Sequence, residues 1–301
     1  MSNPYILHMI TPAKNLSPFD VNMAVDAGWT TVVPYTQVAT AEVNGLVQDA
    51  IFSRGPKNVC RTGMFIGGRD ASEAMDMLQL AQNAMVPPFE ISVFADPSGA
   101  FTTAAALIAA VEQQLHKVHA TSLAGQRVCI FGGTGPVGQV ASVLAARTGA
   151  TVSIVGHKSD EHPRQVAAEC KQRYNVDLEA ADGSSDTLKE QVVADADVVL
   201  GAARAGVQVL SGRNLSAAKK LKVAADLNAV PPPGIEGVGL MDDGKVLEGL
   251  HGAVGIGALA VGNIKYQVQQ ALLQDMVVKG KPQYLDFEYA FERARAYVTQ
   301  H

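Results

Sequence analysis

Short apolar runs alternate with longer amphipathic stretches along this chain, the rhythm that buried strands and their covering helices impose. Tyr5–Ile10, Thr30–Pro34, Thr62–Ile66 and Ile91–Ala95 read as strands. Pro18–Ala27, Ala39–Ala50, Ala71–Ala84 and the alanine-dense Thr102–Lys117 read as the helices between and after them. Ser17 offers an N-cap, with Pro18 at the first helical position. A second series begins near Leu123. Its strands are Val128–Phe131, Thr151–Val155, Val198–Leu200, Val223–Ala225 and Gly252–Val254, and its helices about Val137–Thr148, Pro163–Tyr174 and Asp186–Val193. Helices Lys265–Val277 and Glu288–Tyr297 close the chain and are expected to brace back onto the first domain. The alternation predicts an α/β protein of two domains. Residues 1–122, completed by 283–301, form a parallel-sheet domain, and 123–282 a Rossmann-like one, with the hinge near Ser122–Gly125.

The join between Val128–Phe131 and the helix after it carries the sharpest local signal. Gly133-Thr134-Gly135-Pro136-Val137-Gly138 follows an apolar strand and opens a helix, the setting a dinucleotide fingerprint requires. In that fingerprint the first glycine permits a tight turn, the second lets backbone approach a pyrophosphate, and the third packs helix on strand. The helix N-terminus then faces the phosphates. The strand Thr151–Val155 should end near the adenosine ribose, where an acidic residue about 20 positions on from the fingerprint would select NAD. The tip here is Gly156-His157-Lys158, with no carboxylate. Lys158, and His157 when protonated, are candidates to pair with a 2′-phosphate, so NADP or NAD is expected and strict NAD use is not. A solvated loop lysine is the ordinary reading of Lys158.

Ligands of open α/β sheets lie beyond the C-terminal ends of the strands, which turns five segments into candidates. They are Thr11–Asp20, Tyr35-Thr36, Asp96–Thr103, Asp226–Gly234 and the glycine ladder Gly252–Gly262. Ala202, Asn228 and Gly257 join the nucleotide-side candidates on this ground. Ser17 and Asp20 can equally be helix-start residues, and Asp96 and Thr102 turn and cap residues. The glycine ladder lowers helix and strand propensity alike and is expected to let a nicotinamide ring approach the backbone. Lys265, placed just after it near a helix start, is either a snorkelling helix lysine or a cationic donor to a substrate heterocycle.

Composition narrows the classes. The 301 residues are 48% hydrophobic and 18% charged, enough for a substantial core. A net charge of −5 argues against nucleic acid as a partner. Cys60, Cys129 and Cys170 show no metal or disulfide spacing, no metal site is expected, and Cys129 reads as a small core residue. No signal peptide or membrane-length apolar run is evident, so a cytoplasmic location is the default expectation. No Ser-His-Asp or HExxH pattern is present, which suits a hydride transfer driven by the substrate's own electrons.

HMITPAKNLSPFDVNMAVDAG, VVPYTQV, IFSRGPKNVCRTGMFIGG, VPPFEISVFADPSGAFTTAAA, VCIFGGTGPVGQVA, VAADLNAVPPPGI and VGIGALAVGNIKYQ together resemble the methylene-tetrahydromethanopterin dehydrogenases of methylotrophic bacteria. The NAD(P)-dependent B-type is more similar than the NADP-specific A-type. Gly156-His157 agrees with the B-type, and Lys158 resembles the A-type. The resemblance implies reversible hydride transfer from 5,10-methylene-tetrahydromethanopterin to NAD(P)+, in the oxidation of one-carbon units at the level of formaldehyde. It implies that the pterin lies between the two domains, and that the enzyme is a homo-oligomer, a trimer. Lys265 matches the family's active-site lysine. Asp20, taken with it as catalytic, Asp96, Ser98 and Thr102 match pterin-side positions, and Lys14 and Ser17, in the segment after the first strand, join them as substrate-side candidates. A methylene-tetrahydrofolate dehydrogenase on the same plan, in which Lys14 and Asp20 would be a Lys–Asp pair, and a non-catalytic NADP-sensing protein are the alternatives.

Overall fold

The computed structural model describes residues 3–277 and 281–301. Met1, Ser2 and residues 278–280, which fall within the two expected domains, lie outside the described residues. In chain order the first half contains β1 (Ile6–Thr11), α1 (Pro18–Asp26), β2 (Thr31–Thr36), α2 (Val43–Phe52), β3 (Thr62–Ile66), α3 (Ala71–Asn83), β4 (Ser92–Ala95) and α4 (Ala100–His119). It continues with β5 (Arg127–Phe131), α5 (Pro136–Arg147), β6 (Thr151–Gly156), α6 (Glu161–Tyr174), β7 (Glu179–Asp182), α7 (Asp186–Val193) and β8 (Val198–Gly201). The last elements are α8 (Gly212–Leu215), β9 (Val223–Asp226), β10 (Asp243–Val246), β11 (Val254–Ile256), α9 (Ala258–Asp275), β12 (Tyr284–Leu285) and α10 (Phe287–Gln300).

The first sheet runs β12-β4-β3-β1-β2 and is parallel throughout. Its inner strands β3 and β4 are buried at every position, as strands covered on both faces must be. Leu7, Met9, Phe65 and Phe94 are completely buried there. The second sheet runs β10-β11-β9-β8-β5-β6-β7, parallel except for β10 against β11. β5 lies between β6 and β8, so the strand order reverses at the end of β5, where open sheets bind their ligands. Cys129 sits in the core of this sheet, where burial pushes its thiol up to about 12.

Packing divides the chain into Met1–Thr102 with Tyr266–Arg293, and Thr103–Lys265 with Ala294–His301. The divisions fall inside α4, α9 and α10, whereas the sequence placed them at residues 122 and 282. The long helices explain the shift, because each continues from one unit into the other without a break. Each strand of the first sheet nevertheless lies within 1–122 or 283–301, and each strand of the second within 123–282. The C-terminal segments do return. In the first unit Trp29 Nε1 donates to the Leu273 carbonyl of α9 at 3.2 Å, and β12 pairs with β4. In the second, Arg295 of α10 forks onto Glu112 of α4 at 2.8 and 2.6 Å.

Two local expectations change. The glycine ladder is not irregular: it forms β11, and α9 starts at Ala258. A Cβ at Gly257 would collide with the Gly239 and Leu240 carbonyls, so the close approach there is the protein's own backbone. Lys265 consequently lies two turns inside α9 rather than near a helix start. The short strands β7, β10 and β12 and the single-turn α8 carry no apolar run that would announce them.

Gly63 in β3 fixes the fit of the first unit around Trp29. A Cβ there would stand 2.5 Å from Trp29 Cη2 and 3.1 Å from Met276 Cε. Gly63→Ala is expected to lower stability by about 1–3 kcal/mol through overpacking. Trp29 is the only tryptophan of the chain, so its fluorescence on denaturation reads the effect. An unchanged midpoint would contradict this packing.

Candidate functional site

β5 ends at Phe131, and the chain turns at Gly132 with φ +82°. A Cβ at Gly132 would lie 2.5 Å from the Ala202–Ala203 peptide just beyond β8. Only glycine fits this backbone in this space. The turn residue is therefore Gly132, one position before the glycine to which the fingerprint assigns it. Gly133 is required for packing instead, since its Cβ would stand 2.7 Å from Ile154 Cγ2 of β6. A Cβ at Gly138, in the first turn of α5, would stand 2.4 Å from the Gly132 oxygen and 2.6 Å from Gly133 Cα, so helix and turn touch. Gly135 differs from all three. It takes the N-cap position of α5, with Pro136 at N1, and a Cβ there would meet nothing closer than the Gly132 oxygen at 3.4 Å. With no capping side chain, the first-turn N–H groups of Val137 and Gly138 are available to an anion.

A cavity of about 570 Å³ opens over this turn. It lies within the size range of small-molecule and cofactor sites, about 300–1,000 Å³. Thr134 and Gly135 form one side, Gly156 and His157 at the tip of β6 another, and Ala202 follows β8. Among the predicted cofactor residues these come together. Lys158 is exposed and does not line the cavity. Four polar wall residues went unnoticed in the sequence: Ser184 after β7, Lys189 on α7, and Arg204 and Gln208 after β8. Lys189 keeps a long ion pair to Asp186 at 3.9 Å. A glycine turn, a helix N-terminus and two cations on the wall fit a dinucleotide.

Asn228 and Gly257 line a second, smaller cavity of about 280 Å³ in the same unit, beyond β9. Asn228 is a brace: its Oδ1 accepts the Gly206 and Val230 N–H groups, and its Nδ2 donates to the Pro232 carbonyl at 2.6 Å. Asp226 beside it accepts three backbone N–H groups, from Asn228, Gly234 and Ile235. Burial raises the Asp226 carboxyl above its ordinary range, against the pull of those three donors.

In the first unit the loops after β1, β3 and β4 are tied together at the C-terminal edge of the sheet. Ser98 adopts a left-handed φ of +51°, is exposed, and donates to the Gly68 carbonyl at 2.7 Å. A non-glycine residue held in that region marks a site whose surroundings over-determine it. Asp96 and Thr102 are both completely buried. Asp96 Oδ1 accepts the Phe101 and Thr102 N–H groups, and Thr102 Oγ1 donates to Asp96 Oδ2 at 2.6 Å. The pair thus caps α4 and holds the loop that presents Ser98. Lys14 is exposed, and Ser17 takes the N-cap position of α1 without a side-chain capping bond. Asp20, at the third position of α1, is buried and accepts from Gln269 Nε2 of α9 at 2.8 Å. Lys265 is half-buried, one turn before Gln269 on that helix.

A parallel-sheet unit followed by a nucleotide-binding unit with this glycine turn is the plan of a nicotinamide-nucleotide dehydrogenase. Solved structures share the fold at low identity. The ligand-free 5-ketofructose reductase of Gluconobacter sp. strain CHM43 matches 98% of this chain and 99% of its own, at 15% identity and a TM-score of 0.54. Shikimate 5-dehydrogenase of Listeria monocytogenes, solved with shikimate and NAD, matches 96% of both chains at 13% identity and a TM-score of 0.53. The chain belongs to the methylene-tetrahydromethanopterin dehydrogenase family. It is 48% identical over 289 residues, 96% of this chain and 97% of the other, to the NAD(P)-dependent methylenetetrahydromethanopterin dehydrogenase of Methylorubrum extorquens. The bifunctional protein MdtA of the same organism is 31% identical over 85% of this chain and 86% of its own. Residues 18–98 match the family model for the N-terminal part of methylene-tetrahydromethanopterin dehydrogenase.

Gly135 gives the cleanest test of the nucleotide site, because the protein itself leaves room for a methyl group there. Gly135→Ala is expected to melt like the wild type yet bind NADP at least tenfold more weakly, a loss of about 1.4 kcal/mol or more. Isothermal titration with NADP measures it, and wild-type affinity would mean that the phosphates do not pass Gly135.

Proposed function

We propose that this chain catalyses the reversible oxidation of 5,10-methylene-tetrahydromethanopterin to the 5,10-methenyl form, a step in one-carbon oxidation. The full-length likeness to an NAD(P)-dependent dehydrogenase of that substrate carries the reading. When bound, NAD(P)+ accepts the hydride, which leaves the methylene carbon with its electron pair, so that the pterin is oxidised and no proton is released. The nitrogen lone pairs flanking that carbon expel the hydride, so the protein need not supply a general base.

What the chain contributes is position and charge. Thr134, Gly135 and the start of α5 would hold the pyrophosphate, while His157 at the wall and exposed Lys158 just beyond it are the candidates facing the adenosine ribose and any 2′-phosphate. The loops carrying Lys14, Ser17 and Ser98 would take the pterin. Holding the reacting carbons about 3–3.5 Å apart supplies the orientation term that dominates such reactions. The Asp20 carboxylate would stabilise the positive charge that grows on the pterin as the hydride departs. Lys265, as the cationic donor, would fix the pterin heterocycle. A cytoplasmic homo-oligomer, a trimer, completes the proposal, and its three free cysteines suit a reducing compartment.

Lys265→Ala is expected to lower kcat/KM for the methylene-pterin by 10- to 1000-fold, about 1.4–4 kcal/mol of transition-state stabilisation, with NADP affinity retained. Steady-state kinetics on the purified variant measures this. Wild-type turnover would remove Lys265 from the mechanism.

A further inference from the structure

The contact between Asp20 and Gln269 joins residues 249 positions apart. Asp20 is 3% exposed and Gln269 completely buried, so both polar groups have been withdrawn from water to meet. A buried carboxylate needs hydrogen-bond donors, and the choice of donor decides what the carboxylate can still do. Lysine or arginine in place of Gln269 would contribute a positive charge and cancel that of the acid. A carboxamide donates an N–H without bringing any charge. It fixes the rotation of the carboxylate through Oδ1. The amide also comes from α9, whose Lys265 lies one turn earlier, at the i, i+4 spacing that puts two side chains on one helix face.

We infer that Gln269 is a positioning residue for the hydride transfer, acting through Asp20 by orienting its carboxylate. This rests on the reading of Asp20 as the carboxylate that stabilises the forming methenyl cation. Gln269 touches no reacting atom in this account, and its effect passes wholly through the acid.

A double-mutant cycle with an isotope readout tests the inference. The wild type, Gln269→Leu, Asp20→Asn and the double variant would be assayed with methylene-tetrahydromethanopterin bearing hydrogen or deuterium on the methylene carbon, at saturating NADP. Thermal melts and NADP affinity would be measured alongside. Gln269→Leu is expected to lower kcat 10- to 100-fold and to raise the deuterium isotope effect on kcat, because the chemical step becomes slower, with NADP affinity unchanged. In the Asp20→Asn background the same substitution should cost nothing further. Equal losses in both backgrounds, or a loss with no change in isotope effect, would show Gln269 to be a packing residue and overturn the inference. Asp20→Asn turning over like the wild type would instead overturn the reading of Asp20, and the inference with it. Gln269→Met, which nearly keeps the length and shape and removes the donor, carries the same cycle if the leucine variant does not fold, and wild-type kcat in it would be equally fatal.

Discussion

The nucleotide-binding unit depends on how closely three stretches of backbone meet at Gly132. The end of β5 and the first turn of α5 approach so closely that neither Gly132, set against the Ala202–Ala203 peptide after β8, nor Gly138, set against Gly132 and Gly133, has room for a methyl group. That approach sets the direction of α5, and with it the direction of the N–H groups at its start. The cavity opens over this turn, where Gly132 and Gly135 contribute no side chain. With a side chain at Gly132 or Gly138, α5 would stand off the sheet and the N–H groups at its start would no longer face the cavity.

Much of this was legible in the sequence because it is local. A strand, a glycine cluster and a helix within a dozen residues leave few alternatives, and the strand and helix alternation gave both sheets apart from their short members. The turn glycine was misplaced by one position because what excludes a side chain at Gly132 is the Ala202–Ala203 peptide, some 70 positions away in the chain. The glycine ladder misled for the opposite reason. Its residues have poor helix propensity, but burial of Val261, Ile264 and Val268 carries α9 back to Ala258 and outweighs the glycines. β10 and β12 escaped notice because one is polar and mostly exposed and the other is two residues long.

The candidate site divides along the same line. Thr134, Gly135, His157 and Ala202 were found because each follows a strand end, and topology sends such residues to the cavity. Lys189 had no comparable signal, since a helix lysine looks solvated until the fold brings it to the wall, and Arg204, though it follows β8, reads as an ordinary loop arginine. Asp96 and Thr102 have the polarity of binding residues, but the structure spends that polarity on capping α4, which in turn holds Ser98 in its left-handed conformation. Gln269 has the appearance of any polar helix residue, and only the contact with α1 distinguishes it.

The chemistry asks little of the protein beyond placement, since the pterin nitrogens drive the hydride out. Selectivity must then reside in which carrier and which nucleotide are held in register. The most direct measurement is the initial rate of nucleotide reduction by the purified protein with methylene-tetrahydromethanopterin and with methylene-tetrahydrofolate, each with NAD and with NADP. The account predicts fast reduction of both nucleotides with the methanopterin substrate and a much lower rate with the folate. Activity confined to the folate, or none with either carrier, would contradict it.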